Sequence, residues 1–248
     1  MNKSQNYQVV LNKQIATDIF EMKLKGDTSW LNKAGKFINI TIDNLYLKRP
    51  ISICDYDEES LTIIYKIVGK GTKKLAGYPL HSNLNALINL GNGFNLIDNR
   101  KTFMLVGGGV GIPPLYNLAK KLKSKNKKII AVLGYQSKDS VFYENEFKEI
   151  VDELYITTND GSYGYKGFVT DIIQRRQIEN IYYYTCGPKT MLKAVYELCD
   201  SGQLSFEARM GCGFGACMGC SMKMKNGTYK RICKEGPIFE SEELIWED

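Results

Sequence analysis

The sequence predicts a multi-domain fold of α/β plus β class, and three changes of residue pattern along its 248 residues support this prediction. Residues 1–97 consist mainly of short β-prone runs. Strand and helix patterns alternate over 98–203, which is typical of a doubly wound parallel sheet with helices on both faces. Over 204–248 the chain is irregular and rich in cysteine and glycine. We therefore expect three domains with these boundaries.

The first of these regions shows the period of two that is typical of strands. Isoleucines alternate with other residues over 36–42, and apolar residues are in phase over 60–69. Further β-prone runs lie at 7–11 and 19–24, and Gly, Asn and Asp fill the gaps between the runs. Several short strands at this spacing predict a small β sandwich or barrel.

The second region opens with a glycine-rich turn between a predicted strand, 103–106, and a predicted helix, 115–123. Within it Gly109, Gly111 and Pro114 fit the pattern G-x-G-x-x-P. Glycines at such a turn allow phosphate oxygens to approach free backbone N–H groups at the start of the helix. The turn therefore indicates a dinucleotide site, with a tight structural turn as the alternative.

A second turn, Cys186-Gly187-Pro188, joins a predicted strand to a predicted helix further along this region. In an open α/β sheet, ligands bind at the carboxyl ends of the strands. The turn is therefore a candidate binding element, although it is also compatible with a purely structural role. The elements predicted after the first helix are strands at 128–133, 154–157 and 181–185 and helices at 144–151, 167–175 and 189–199.

The cysteines of the third region carry the most specific pattern in the chain. Cys212, Cys217, Cys220 and Cys233 follow the spacing C-x4-C-x2-C…C, which is that of plant-type [2Fe–2S] ligands. Structural zinc sites usually use two C-x2-C pairs, whereas only one such pair is present. The spacing therefore favours a [2Fe–2S] cluster over zinc or free thiols. The remaining cysteines, 54 and 199, are interpreted as buried small residues.

Composition and charge exclude several classes of function. The net charge of +6 is spread out rather than concentrated in a basic stripe, so we expect no nucleic-acid partner. No apolar run is long enough to cross a membrane, and the first residues show no apolar core of a secretory signal. We therefore expect a cytoplasmic protein. His81, the single histidine, lies in a polar stretch and is interpreted as structural or solvated.

Three motifs, in order, resemble those of the ferredoxin–NADP reductase superfamily. Arg49-Pro50-Ile51-Ser52 resembles its flavin motif R-x-Y-S, with isoleucine in place of tyrosine. The glycine turn resembles its dinucleotide loop, and Cys186-Gly187-Pro188-x-x-Met191 resembles its C-G-P-x-x-M turn beside the nicotinamide. The resemblance implies an N-terminal antiparallel β-barrel that binds FAD and an α/β domain that binds a nicotinamide cofactor.

The same resemblance implies which residues contact FAD. Arg49 is expected to pair with the pyrophosphate, since a guanidinium forms two parallel hydrogen bonds to such a group. Ser52 is expected near the flavin ring. The strand Ile64-Tyr65-Lys66 is expected to line the flavin, and Gly71-Thr72 resembles a second turn that contacts phosphate.

Longer segments resemble a narrower family, the electron-transfer subunits of NAD-linked dihydroorotate dehydrogenases. They are RPISI, VGKGT, LGNGF, LVGGGVGIPPL, DGSYGYKGFVTD and EARMGCGFGACMGC. The family implies an FMN-containing dihydroorotate dehydrogenase subunit as partner, as a heterotetramer with two copies of each chain. It implies electron flow through [2Fe–2S] and FAD to NAD+, in pyrimidine biosynthesis. NAD is favoured over NADP because no arginine follows the second α/β strand.

Two alternatives remain open from the sequence. One is a flavin and iron–sulfur reductase subunit that serves sulfide, sulfite or ferredoxin. The other is a non-catalytic sensor whose cluster reports redox state. No general-base constellation for a substrate C–H bond is recognised in the chain, which agrees with a separate catalytic subunit. Methionines 218, 222 and 224 are expected either to meet that subunit or to pack locally.

Overall fold

The computed structural model describes residues 3–176 and 181–246. Their first part is a closed six-stranded barrel with the strand order β1-β2-β5-β4-β3-β6 and antiparallel neighbours throughout. The strands are β1 (Lys3–Ala16), β2 (Ile19–Lys25), β3 (Phe37–Ile40), β4 (Arg49–Tyr56), β5 (Ser60–Lys66) and β6 (Asn83–Leu90), and one helix, α1 (Lys70–Ala76), lies between β5 and β6. Closure removes the unpaired edges of the sheet. The predicted barrel is confirmed.

A seven-stranded sheet follows, with the order β10-β9-β8-β7-β11-β12-β15. Its parallel part contains β7 (Thr102–Gly108), β8 (Lys128–Tyr135), β9 (Glu153–Thr158), β10 (Tyr165–Lys166), β11 (Tyr182–Cys186) and β12 (Gly202–Ser205). The helices are α2 (Pro113–Ser124), α3 (Glu144–Lys148), α4 (Val169–Arg175) and α5 (Lys189–Leu198). One face of β7 packs with α2, and the other packs with α4 and α5, because its side chains alternate between two separate cores. The predicted doubly wound sheet is confirmed.

Two predicted helices are two or three residues shorter in the structure than the sequence pattern suggests. The helix predicted over 167–175 begins at Val169, because Gly167 has φ +121° and the Asp171 carboxylate accepts the Phe168 N–H at 2.8 Å. The helix predicted over 144–151 ends at Lys148. The chain then turns into β9, where the Asp152 carboxylate accepts the N–H of Ile129 at 2.8 Å.

The cysteine region is attached to this sheet rather than separate from it. Strand β15 (Ile238–Glu240) lies antiparallel to β12 at the sheet edge, and β13 (Ser221–Lys223) pairs with β14 (Tyr229–Arg231) in a hairpin. The predicted domain boundary between residues 203 and 204 falls within β12. The three-domain division stays a prediction, and its outer ends, 1–2 and 247–248, lie outside the described residues. Among the described helices, none is long and apolar enough to cross a membrane.

The barrel and the sheet contact each other through polar groups as well as apolar ones. Asp55 on β4 accepts hydrogen bonds from Asn117 at 2.8 Å and from Lys120 at 2.6 Å, both on α2. The Tyr143 hydroxyl donates to the Glu21 carboxylate at 2.8 Å. Cys54, which is fully buried, lies in the apolar part of the same contact. These contacts fix the barrel strand that carries the predicted flavin motif against the first helix of the sheet.

Candidate functional site

The glycine loop and the Cys-Gly-Pro turn lie in direct contact at the carboxyl ends of β7 and β11. A Cβ at Gly111 would overlap the carbonyl group of Cys186 and would lie 2.6 Å from the Cα of Gly187. A Cβ at Gly108 would lie 2.6 Å from the sulfur of Met191. Only glycine permits the backbone approach at Gly111, and adjacent parallel strands bring the two turns together. The structure thus joins two motifs that lie about 75 residues apart in the sequence.

A cavity of about 720 Å³ opens beside these two turns, between the sheet and the edge of the barrel. From the predicted sites it is lined by Lys66, Gly109, Gly111, Gly187 and Pro188. Pro114 and Cys186 lie behind this lining and are buried, so they shape the turns rather than face the cavity. The position is where ligands bind in open α/β sheets, and the volume suits a nucleotide cofactor.

The sequence motifs do not predict several of the residues that line the cavity. Thr157, at the end of β9, has a buried hydroxyl oxygen without a hydrogen-bond partner among the described residues. Phe168 also lines the cavity and is 62% exposed, as is unusual for phenylalanine. Glu207 follows β12 and faces the cavity from the side of the cysteine region. The sequence does carry a signal for Thr157 and Glu207, since Thr157 lies near the carboxyl end of the parallel strand β9 and Glu207 follows the parallel strand β12.

The Glu207 charge acts on the neighbouring Cys186 thiol. Desolvation by the surrounding protein raises the pKa of the Glu207 carboxyl, although its surface remains accessible because it faces the cavity. Burial, and to a smaller extent the Glu207 charge, raises the pKa of the Cys186 thiol to about 12. Ionisation of the Cys186 thiol is therefore unfavourable at neutral pH.

The predicted FAD contacts gather around the first residues of β4 and the first turn of α1. The Arg49 side chain lies over Gly71, where a Cβ would be 2.7 Å from the guanidinium carbon. Thr72 fixes the turn, since its hydroxyl oxygen accepts the N–H groups of Val68 at 2.9 Å and Gly69 at 3.3 Å. Arg49 donates to the carbonyl oxygens of Leu47 and Lys48 and has no carboxylate partner among the described residues. A half-buried guanidinium beside a glycine turn fits a pyrophosphate.

The other predicted flavin residues divide by the direction of their side chains. Pro50, Ile51 and Ser52 are half-buried on β4 and pair with β3. Ile64 packs in the core shared with the sheet, whereas Tyr65 points into the barrel and donates to the Asn12 side chain at 3.0 Å. Tyr65 therefore offers only its backbone to a ligand on the outer face of β5. No observation tests these residues as FAD contacts, so they remain predictions.

The four predicted cluster ligands lie in one loop and one adjoining segment. Cys212 Sγ accepts the N–H groups of Ala216 at 3.2 Å and Cys217 at 3.4 Å, and Cys220 Sγ accepts the N–H of Cys233 at 3.4 Å. Burial opposes ionisation of Cys212, but backbone N–H groups, first that of Phe214, outweigh it and lower the pKa of this thiol to about 6. Backbone hydrogen bonds to thiolate sulfurs are what an iron–sulfur cluster uses. The donor set therefore fits [2Fe–2S].

The two halves of this ligand set differ in exposure. Cys217 is exposed and Cys212 half-buried, whereas Cys220 and Cys233 are buried in the core that the cysteine region shares with the sheet. Burial, with the neighbouring Cys220, raises the pKa of Cys233 to about 12. Among the described residues, no three His, Cys, Asp or Glu side chains converge as the ligands of a single metal ion.

Together, a flavin-type barrel, a dinucleotide cavity and a cysteine loop define a flavin-dependent oxidoreductase of the ferredoxin-reductase type with an added iron–sulfur region. Family models agree with this class. Residues 105–197 match an oxidoreductase NAD-binding domain, and 207–245 match the iron–sulfur cluster binding domain of dihydroorotate dehydrogenase B. The chain belongs to the family of electron transfer subunits of dihydroorotate dehydrogenase B (NAD(+)).

Relatives with that name are similar over nearly their full length. The protein from Fusobacterium nucleatum is 45% identical, with 96% of each chain covered. The protein from Geobacillus sp. is 42% identical, with 99% of this chain and 100% of the relative covered. A solved NADH-dependent reduced ferredoxin–NADP oxidoreductase is 32% identical with a TM-score of 0.88, covering 97% of this chain and 90% of the other. A ferredoxin–NADP+ reductase from Plasmodium falciparum, 16% identical with a TM-score of 0.65 over 79% of this chain and 92% of its own, shares the fold.

Proposed function

We propose that this chain is the electron-transfer subunit of an NAD-linked dihydroorotate dehydrogenase. It takes the electrons released when an FMN-bearing partner subunit oxidises dihydroorotate to orotate and passes them, by way of [2Fe–2S] and FAD, to NAD+. When bound, the cluster would carry electrons one at a time, and FAD would combine two of them with a proton into the hydride that NAD+ accepts. The reaction belongs to pyrimidine biosynthesis, and we place it in the cytoplasm.

The observation that carries this proposal is the spatial order of the three sites. The flavin motif begins β4, β4 pairs with β3, and β3 contacts the cysteine loop through Asn39. On the other side, the dinucleotide cavity lies between the barrel residue Lys66 and the glycine loop. The barrel thus contacts both the cysteine loop and the dinucleotide cavity, as a flavin that connects the two sites requires.

We assign the residues of the chain as follows. Cys212, Cys217, Cys220 and Cys233 hold the cluster. Arg49, Gly71 and Thr72 hold the FAD pyrophosphate, and Pro50, Ile51 and Ser52 with the strand Ile64–Lys66 line the flavin. Gly109, Gly111 and Pro114 form the phosphate turn for NAD, and Cys186, Gly187 and Pro188 shape the nicotinamide end of the cavity.

The partner subunit is proposed to dock at the exposed part of the cysteine loop. Phe214 is 40% exposed and Met218 51% exposed, beside the exposed ligand Cys217. Met224, by contrast, is buried and packs within the core, and Met222 is half-buried. Only Met218 of the three methionines therefore offers a largely free side chain. A heterotetramer with two copies of each chain is the assembly we propose.

Co-expression with the FMN subunit tests the function. The purified complex is expected to contain iron, FAD and FMN, and to form orotate from dihydroorotate as NAD+ is reduced. The FMN subunit alone, as the control, is expected to reduce dyes but not NAD+. A chain that binds neither FAD nor the FMN subunit would contradict the proposal.

One relative favours a second candidate function, a reductase subunit that exchanges electrons with ferredoxin. The NADH-dependent oxidoreductase noted above, whose name includes reduced ferredoxin, shares the fold over almost the whole chain. Ferredoxin-dependent reduction of NAD+ by the isolated chain, without orotate formation in the complex, would favour that candidate.

A further inference from the structure

The outer face of β3 is where the barrel meets the cysteine region. Ile38 and Ile40 point into the barrel core, so Phe37 and Asn39 point outward. Phe37 packs in the same apolar core as the ligands Cys220 and Cys233. Asn39, which is 1% exposed, is the polar side chain on this face of the strand. Strand β3 therefore presents one apolar and one polar contact to the region that holds the cluster.

Asn39 makes its contact with the backbone of the first cysteine ligand. Its side-chain Nδ2 donates to the carbonyl oxygen of Cys212 at 3.4 Å. The next residue, Gly213, has φ +78°, and a Cβ there would overlap the Asn39 amide nitrogen and lie 3.2 Å from its Cγ. The loop thus passes so close to Asn39 that only glycine fits, and it does so in a backbone conformation that favours glycine.

The polarity of Asn39 has no explanation in packing alone. Its Oδ1 is buried and has no hydrogen-bond partner among the described residues. Buried acceptors without a partner are rare because they lose their hydrogen bonds to water. An apolar side chain of similar size, such as leucine, would fill this position without that loss. The amide donor toward Cys212 is therefore the feature that distinguishes asparagine here.

Asn39 also adjoins the strand that carries the flavin motif. In the β3–β4 ladder Asn39 lies opposite Pro50, and Phe37 lies opposite Ser52. Asn39 therefore connects the ligand loop of the cluster to β4, the strand that carries the flavin motif and pairs directly with β3. Groups that hold metal ligands from outside are known to control the geometry and properties of the bound metal.

We propose that Asn39 is a positioning residue for electron transfer within this chain. Its amide holds the Cys212–Gly213 backbone against β3 and so fixes the separation and orientation of the cluster loop relative to the flavin strand. The inference rests on the proposed function of the two sites. It adds a residue that belongs neither to the cysteine ligands nor to the flavin motif.

The test uses the complex purified with its FMN subunit and the variant Asn39→Leu. Iron and FAD contents and the rate at which NADH reduces the flavin are expected to equal those of the wild type. Reduction of the cluster, followed by stopped-flow absorbance, is expected to slow about tenfold, within the range seen when an outer partner of a metal ligand is removed. The EPR spectrum of the reduced cluster and its midpoint potential are expected to shift.

Asn92 offers a matched control. It also joins the barrel side to the cysteine region, since its Nδ2 donates to the Ile238 carbonyl oxygen at 2.6 Å and its Oδ1 accepts the Ile238 N–H at 3.2 Å. It contacts β15 rather than the ligand loop. Asn92→Leu is therefore expected to lower thermal stability while the EPR spectrum and midpoint potential of the cluster stay at their wild-type values.

A second variant keeps the test decisive if leucine prevents folding. Asn39→Asp preserves volume but places a carboxylate oxygen where the donor was, so we expect a lower midpoint potential and slower cluster reduction. Wild-type values for the potential, spectrum and rate in this variant, or equal shifts in Asn92→Leu, would overturn the role of Asn39. A wild-type complex whose cluster is not reduced by NADH would instead overturn the proposed function and this inference together.

Discussion

Two glycine-rich segments of the molecule, the dinucleotide loop at 107–111 and the cysteine loop at 211–219, are built in different ways. The first runs from a buried strand into a helix, and at Gly111 the backbone of the neighbouring Cys186–Gly187 turn leaves no room for a Cβ. The second is irregular, with φ values of +78° at Gly213 and +93° at Gly215. Much of its hydrogen bonding goes to sulfur atoms of its own cysteines.

The difference shows which site is formed by the chain and which is completed by the group it binds. The dinucleotide loop rests on fully buried strands, so its shape exists before a nucleotide arrives. The cysteine loop has exposed residues on its outer side, including Cys217. Binding of a metal centre to such a loop contributes directly to its folding. Substitutions in each segment distinguish these two cases.

Cys220→Ser is expected to have the largest effect, complete loss of the cluster. Cys220 is 4% exposed and accepts the Cys233 N–H, so serine removes a ligand and weakens the local structure together. FAD content and NADH–dye reductase activity should persist, because the core between the sheet, α2 and the barrel contains none of the four ligands. Iron analysis and dye assays measure both. Cys199→Ser is the control, since Cys199 lies outside the predicted ligand set, and this variant should keep its full iron content. Loss of FAD in Cys220→Ser would contradict the prediction and would show that the two regions fold as one unit.

Gly111→Ala is expected to unfold or distort the α/β domain. The added Cβ would overlap the Cys186 carbonyl, and backbone atoms on both sides cannot yield as a flexible side chain would. Overpacking of a buried site lowers the free energy of unfolding by about 1–3 kcal/mol, and we expect a loss at the upper end of that range for Gly111→Ala. Denaturant unfolding followed by fluorescence gives the value. Gly109→Ala is the control. Gly109 has φ +52°, but a Cβ there would have no other atom within 4 Å, so the variant should lose only the cost of a left-handed backbone, about 1–2 kcal/mol of unfolding free energy. Equal losses in both variants would contradict the packing argument.

The sequence predicts the dinucleotide region more completely than the cluster region for a physical reason. Strand and helix periodicity place β7, α2 and β11 and their turns, because burial against two cores imposes that periodicity. The cysteine spacing predicts the ligands, but not the contact of their loop with β3, since Asn39 lies 173 residues from Cys212. Nor does it show that β15 extends the parallel sheet from within the cysteine region.

The motifs also do not predict the direction in which each side chain points. The strand Ile64-Tyr65-Lys66 was predicted as a unit, but alternation sends Tyr65 into the barrel and leaves its neighbours outside. Glu207 belongs to a segment that resembles the family, yet its place in the cavity depends on where β12 ends in the folded sheet.

Arg49→Lys tests whether the flavin turn is preformed like the dinucleotide loop. Lysine keeps the charge but loses the fork of donors that holds a pyrophosphate, so FAD should dissociate about tenfold more readily, the scale of one lost hydrogen bond to a charged group. Fluorescence titration of the apoprotein with FAD measures this, and the unfolding free energy should change little. Arg175→Lys on α4 should bind FAD normally. Unchanged FAD affinity in Arg49→Lys would remove Arg49 from the site.

Glu207→Gln is expected to have the smallest effect, and it probes the place where the two regions meet. Because desolvation raises the pKa of Glu207 in the folded chain, its protonated form is favoured there. The carboxyl therefore opposes folding least at pH values below its ordinary pKa, and stability falls as the pH rises through the raised pKa. The same ionisation adds a negative charge to the cavity near Cys186, at the end that we assign to the nicotinamide. The affinity for the negatively charged NADH should therefore fall over that interval, by a few-fold at most for a charge that remains accessible. The Glu207→Gln variant should lose both pH dependences and should bind NADH as tightly as the protonated wild type.

Titrations of NADH binding and thermal unfolding across the weakly acidic range measure the two effects, with Glu197→Gln on α5 as the control. An unchanged pH profile in Glu207→Gln would show that its charge does not reach the bound nucleotide and that the cavity is electrostatically independent of the cysteine region.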